Sequence, residues 1–153
     1  MEIRVALPGD IEKIQELYQQ LFLEMEILAP DYMQRARQED GFLFQIISSE
    51  ASDILLAQQG ETILGFALLQ ELKTPPYGCI VPHRYCYLMD FVVHPDSRNM
   101  GVGSRLLHAA KAWGKARNLD YMELNVLSPN VQAIRLYERE GFSECVRTMR
   151  TNL

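Results

Sequence analysis

Residues 91–107 read Phe-Val-Val-His-Pro-Asp-Ser-Arg-Asn-Met-Gly-Val-Gly-Ser-Arg-Leu-Leu, and Gly101 and Gly103 stand where a helix should begin. The apolar residues that follow, Leu106, Leu107, Ala110 and Trp113, recur at helical spacing. A glycine weakens a helical position by about 0.5–1 kcal/mol relative to alanine, so two of them there need a compensating role. Anion binding supplies one. Without Cβ atoms, the unpaired N–H groups of the first turn can approach a phosphate, and the helix dipole favours its charge. Arg98 adds a planar fork of donors. The structural alternative is a tight turn made by Pro95-Asp96 and the glycines.

Other residues with chemical potential each have a quieter explanation. Asn130 follows Ser128-Pro129, which suit a helix cap and first turn, so Asn130 could be a polar first-turn residue. Tyr137 lies three residues after Ile134 on a plausible core face. Gly141-Phe142 reads as a helix stop and the first core residue of a further strand. Asp90 and Glu123 are acids on strands, and His83, on a proline-rich loop, has the right ordinary pKa to take a proton through water. Period-two alternation points Asp90 away from the face of Met89 and Phe91. Cys79, Cys86 and Cys145 form no CxxC pair and are odd in number, which argues for reduced thiols and against a disulfide framework or a zinc site. No metal is expected.

The elements that must hold these residues follow from periodicity. Residues 2–6 alternate as a strand, Pro8-Gly9-Asp10 turns with Asp10 as N-cap, and an apolar stripe from Ile11 to Leu28 predicts a helix over about 11–27. Residues 31–50 read as helix in two pieces broken near Gly41. Two apolar runs, 53–58 and 62–72, flank Gln59-Gly60-Glu61 and predict an antiparallel hairpin. Three prolines and a glycine make 73–85 a long loop. Then come a strand over Tyr87–Val93, a helix over 101–117, a strand over Tyr121–Val126, a helix over about 130–140 and a last strand over Phe142–Arg150. The fold class is α/β (α+β): a mixed, mostly antiparallel twisted sheet, helices on both faces, and a central parallel strand pair. Sites in such sheets lie beyond the carboxyl end of the crossover strand.

With 153 residues the chain is expected to form one domain, 1–153, and 48% apolar with 23% charged residues excludes disordered and fibrous classes. A net charge of −5 argues against nucleic acid or anionic lipid as partners, so any bound anion must be gripped locally. The longest apolar run, Ile63 to Leu69, falls well short of the roughly 20 residues of a membrane span. An acid at position 2 and early Pro8-Gly9 leave no signal-peptide core, so the expected compartment is the cytoplasm.

Arg98-x-x-Gly101-x-Gly103 resembles the (Arg/Gln)-x-x-Gly-x-(Gly/Ala) motif of the GCN5-related N-acetyltransferases, the GNAT family. A second block, Asn130-Val-Gln-Ala133-Ile-Arg-Leu136-Tyr137-Glu-Arg-Glu-Gly141-Phe142, resembles that family's Asn-x-x-Ala-x-x-Leu-Tyr-x-x-x-Gly-Phe. The resemblance implies an acetyl-CoA-dependent N-acetyltransferase acting on a primary amine of a small molecule, amino acid or peptide by direct attack in a ternary complex. It implies that Arg98, Asn99, Met100, Gly101, Val102, Gly103 and Ser104 cradle the pyrophosphate of coenzyme A. Asn130, with Ala133, would contact the cofactor's arm, and Tyr137 would lie near the thioester sulfur as proton donor. The backbone around Phe91, Val92 and Val93 would pair with pantetheine where that strand splays from its parallel neighbour.

The chain departs from the family at the general base. Relatives that acetylate polyamines or histone lysines carry a glutamate where Met89 and Tyr87 stand here, which leaves Asp90, Glu123 and His83 as candidates. The acceptor loops implied are about 26–33, with Glu26, Asp31 and Tyr32, and 73–85, with Tyr77, His83, Arg84 and Tyr85. Acids and aromatics suit an amine, whereas Arg84 would suit a carboxylate. A homodimer through an exposed C-terminal strand is allowed. Two rivals stand beside this reading. One is a non-catalytic acyl-CoA-binding or regulatory module of the same fold. The other is a dinucleotide-binding oxidoreductase, which lacks its third glycine because Leu106 stands there.

Overall fold

Two continuous apolar runs on either side of Gly60, whose φ of +59 allows the tight turn, build the centre of the sheet and are buried on both faces. The computed structural model describes residues 1–153. Strands β2 (Ser52–Gln59) and β3 (Thr62–Lys73) form the expected hairpin. Strand β1 (Glu2–Val5) pairs antiparallel with β2, and β4 (Arg84–Val93) pairs antiparallel with β3. Short β5 (Met122–Leu124) joins β4 in parallel, so the five strands lie in chain order. Helices α1 (Ile11–Leu28) and α2 (Asp40–Ser48) cover one face over Tyr18, Leu43, Ile54 and Phe66. Helices α3 (Val102–Ala116) and α4 (Val131–Arg139) cover the other over Leu69, Leu88, Leu106 and Tyr137. No helix is long and apolar enough to cross a membrane.

Three local expectations are corrected. Gly41 lies inside the first turn of α2, and residues 31–39 are not helical. Their polar run, Gln34 to Asp40, has no apolar face to bury, and tertiary burial is what stabilises short helices. The segment is instead pinned by buried Gln15, whose side-chain amide donates to the Gln38 carbonyl at 2.5 Å and to Asp40 at 2.8 Å. Asp10 makes no cap for α1; its carboxylate takes two 2.8 Å bonds from the Arg4 guanidinium and one from the Leu7 N–H. Finally, Phe142–Arg150 forms no strand, and residues 143–153 make no backbone hydrogen bond to the body. A strand exists only through its ladder, so β5 stands as the sheet's edge and the parallel pair β4–β5 lies at that edge instead of at the centre.

One irregularity sets up the site. Leu68 pairs with Asp90 while its neighbour Leu69 pairs with Leu88, so Met89 has no partner and bulges from β4. Cys86 and Leu88 before the bulge, and Phe91 and Val93 after it, face α3 and α4. Met89 packs on the α1 side, and Asp90 bonds to Tyr18 of α1, so the bulge turns both residues to one face. Simple alternation had separated them.

Candidate active site

The first bond of α3 runs from the Arg105 N–H to the Gly101 carbonyl at 3.1 Å. Before it, the backbone N–H groups of Asn99, Met100, Gly101, Val102, Gly103 and Ser104 have no acceptor in the chain. Asn99 at φ 60 and Gly101 at φ 78 are both left-handed, which folds successive amides into a concave nest at a helix N-terminus. Met100 is exposed beside it, while the Val102 side chain is buried in the core. The two glycines serve different needs. A Cβ on Gly101 would meet nothing within 4 Å, so its backbone angle is what requires glycine. A Cβ on Gly103 would fall 3.1 Å from Leu136 and 3.5 Å from Phe91, so that glycine lets α3 sit close to α4 and β4. Access for a ligand is therefore not what the missing Cβ of Gly103 supplies.

Arg98 Nε donates to the Val93 carbonyl at 3.0 Å, and Nη2 meets Glu24 of α1 at 2.5 Å. The Ser104 hydroxyl turns to Glu140, which also pairs with His108 at 2.8 Å; these donors hold its carboxyl below the usual range and tie α4 to α3.

Beyond Leu88 and Leu124 the parallel strands part, because their ladder ends there while β4 runs on to Val93. A cavity of about 100 Å³ opens in the gap. Met89, Asp90 and Phe91 line one wall, Leu124 to Leu127 the other, with Asn130 and Tyr137 from the α4 region and Leu21 and Met25 from α1. Asn130 caps α4 through its side-chain oxygen, which accepts from the Ala133 N–H at 3.2 Å, while the residue also borders the cavity. Val92 faces the opposite core. The Tyr137 ring is buried between Phe91 and Phe142, and its hydroxyl makes no hydrogen bond within the chain. Burial pushes its pKa up to about 12, so it stays protonated at neutral pH. Asp90 accepts the Tyr18 hydroxyl at 2.6 Å, and burial raises its carboxyl above the ordinary value despite that bond.

The other base candidates stand elsewhere. Glu123 pairs in register with Tyr87, acts electrostatically on Tyr85 and Tyr121, and does not line the cavity. His83 bonds to Asp120 at 2.8 Å, just before β4 begins; with six residues of strand between them it lies roughly 20 Å from Asp90. Arg84, the residue suited to a carboxylate, is already paired with Glu71. Glu26 is held by Arg35 through a 2.9 Å backbone and a 3.0 Å side-chain bond, and Tyr32 lies under the Arg150 guanidinium. Sequence reasoning did not single out Tyr18 and Glu24. Their only sequence signal is a position on or beside the apolar stripe of α1, where a hydroxyl or a carboxylate must find a partner.

Solved structures share this fold. A variant of the BH1408 protein of Bacillus halodurans superposes with a TM-score of 0.95 at 24% identity, over 100% of this chain and 99% of that one. Aminoglycoside N-acetyltransferase AAC(6')-Iy, crystallised in complex with CoA, superposes with a TM-score of 0.77 at 19% identity, over 99% and 98%. The sequence profile described as the acetyltransferase (GNAT) family matches residues 11–142. An uncharacterized N-acetyltransferase of Bacillus subtilis, YhfO, is 31% identical over 94% of this chain and 91% of its own length. The chain belongs to the acetyltransferase (GNAT) family, an enzyme family whose chemistry is acetyl transfer. The dinucleotide-binding alternative falls with that match, and β4–α3–β5 is the one strand-helix-strand crossover the sheet contains.

Proposed function

We propose that the chain, as one catalytic unit over 1–153, transfers the acetyl group of acetyl-CoA to a primary amine of a small molecule or peptide in a ternary complex. The observation that carries this reading is the row of six unpaired backbone N–H groups from Asn99 to Ser104 at the start of α3, flanked by Arg98. Such a row meets the requirements of a diphosphate, whose oxygens accept several charge-assisted bonds at once. Pantetheine would run along the unpaired edge of β4 past Phe91 and Val93, toward the cavity that Asn130 and Tyr137 border.

Acetyl-CoA supplies an activated acetyl carbon, and the chain supplies position and proton traffic. As the amine nitrogen bonds to that carbon and the C–S bond breaks, the nitrogen's proton passes to Asp90 and the departing sulfur takes one from Tyr137. Asp90 then hands its proton to water while water returns one to Tyr137, so both residues are regenerated and the sum moves one proton from amine to thiol. A backbone N–H near Phe91 aimed at the carbonyl oxygen would add about 2.7–4 kcal/mol of transition-state stabilisation. A raised carboxyl pKa makes Asp90 a better base near neutrality, and a high phenol pKa keeps Tyr137 loaded. The acceptor would enter past Tyr85, Tyr87 and Glu123, a surface of aromatics and acid suited to a cationic amine, and the engagement of Arg84 by Glu71 disfavours a carboxylate.

The free edge of β5 and the exposed arm 143–153, with Val146 and Met149 in solvent, support a homodimer in which a second copy pairs along that edge. The function is tested by following thiol release from acetyl-CoA with a panel of amines, amino acids and peptides, beside amide shifts on adding coenzyme A. Shifts at 99–104 with turnover of an amine support the reading. Binding without turnover of any acceptor points to the non-catalytic module, and unmoved amides overturn the phosphate seat.

A further inference from the structure

We propose that Tyr18, on α1, is the positioning residue for Asp90: its hydroxyl holds one carboxylate oxygen so that the other stays free and turned to the cavity, ready to take the amine's proton. This rests on the reading of Asp90 as the base.

Tyr18 is fully buried, its ring fixed 5.3 Å from Phe22 and 4.9 Å from Phe66, so its hydroxyl has a single address. Its 2.6 Å bond to Oδ2 is the one hydrogen bond the Asp90 carboxylate makes, which leaves Oδ1 without a protein donor. The direction of that bond follows from its chemistry: an ionised carboxylate has no proton to give, so the Tyr18 hydroxyl donates and Asp90 accepts.

The surroundings contain little else that titrates. From α1 comes Tyr18, whose own pKa burial pushes far up, and Glu24 of the same helix is committed to Arg98. From the α4 side comes Tyr137, and the register neighbour on β3 is Leu68. No Lys, Arg or His lines the cavity. The Tyr18 bond is thus the one local contact that favours the charged form of Asp90 against the burial that disfavours it.

The test reads the Asp90 carboxyl directly, by carbon NMR on protein labelled at aspartate Cγ, with Asp90→Asn giving the assignment. In Tyr18→Phe the Asp90 titration should move up by about one to two pH units, the size of a lost hydrogen bond to a charged group. The acidic limb of kcat/KM should move by the same amount, with kcat lowered and KM little changed. Tyr18→3-fluorotyrosine keeps the shape and strengthens the donor, so both readings should move down; it serves also if the phenylalanine variant does not fold. A carboxyl titration unmoved in the folded variants overturns the proposal. A carboxyl that moves while the pH–rate profile stays also overturns it. Failure of the base reading itself is separate and visible as full activity in Asp90→Asn.

Discussion

Arg98 and Glu24 are joined at 2.5 Å across the space between the start of α3 and the helix α1, so the guanidinium best placed for a phosphate is already neutralised by a carboxylate. The same guanidinium is anchored by the Val93 carbonyl at 3.0 Å through Nε, so in the proposed cofactor site it is the outer nitrogen, Nη2, that would exchange Glu24 for a phosphate. Glu24 is flanked on α1 by Leu21 and Met25, which line the cavity, so the ion pair and the cavity wall share one helix.

Glu24→Gln should tighten coenzyme A binding by about two- to five-fold at low salt, the range of a half-exposed ion pair that no longer competes. Arg98→Ala should weaken it about tenfold or more. Isothermal titration decides both, and an unchanged Kd in the two variants would remove this pair from cofactor binding.

Tyr137→Phe should lower kcat by about 100-fold, the lower end of general-acid effects, with a much smaller change in KM. The ring packing against Phe91 and Phe142 is retained, so stability should hold. Steady-state thiol release checks the split, and an unaltered kcat takes Tyr137 out of the proton path.

Asp90→Asn should cut kcat by about 100-fold or more while raising Tm at pH 7 by about 2–4 °C, which is roughly 1 kcal/mol at this chain length. The sign follows from the raised carboxyl pKa. A folded pKa above the unfolded one gives stability that is complete below the unfolded value and is lost as pH rises through the folded one. Below about pH 4 the two proteins should therefore melt alike. Calorimetry across pH reads this, and a variant less stable at pH 7 would contradict the buried-charge cost.

Gly65→Ala should destabilise by about 1–3 kcal/mol, since the new Cβ would lie 2.5 Å from the Val92 carbonyl oxygen and 3.1 Å from the Val93 Cα. Urea unfolding measures the loss, and because the strain falls at the end of β4, affinity for coenzyme A should drop with it.

Removal of residues 143–153 should leave a folded monomer, because no backbone bond ties this arm to the body. Light scattering on the full chain and the shortened one gives the answer; a full chain that is monomeric at micromolar concentration excludes the dimer.

Part of the candidate site is legible in the sequence. Gly101, Arg98 and the apolar period after them mark a helix start in the sequence, and the amides from Asn99 to Ser104 have no backbone partner there. Asp90 was visible as an acid on β4 but not on which face, because a bulge at Met89 is a property of two strands in register and leaves no mark in one. The role of Gly103 was misjudged for a similar reason: its neighbour Leu136 is 33 positions away and meets it only when α4 docks.

Local pattern, then, determined what depends on near neighbours in the chain: the helices α1, α3 and α4, the hairpin about Gly60 and the row of donors at residue 99 onward. Those features follow from periodicity, backbone freedom and capping, all of which act within a few residues. Tertiary structure alone decided the pairings of Asp90 with Tyr18 and Arg98 with Glu24, the parting of β4 from β5 and the unpaired arm at 143–153. Each of these depends on which distant group fills the remaining hydrogen-bonding capacity of a buried or edge position, and that is settled only when whole elements pack.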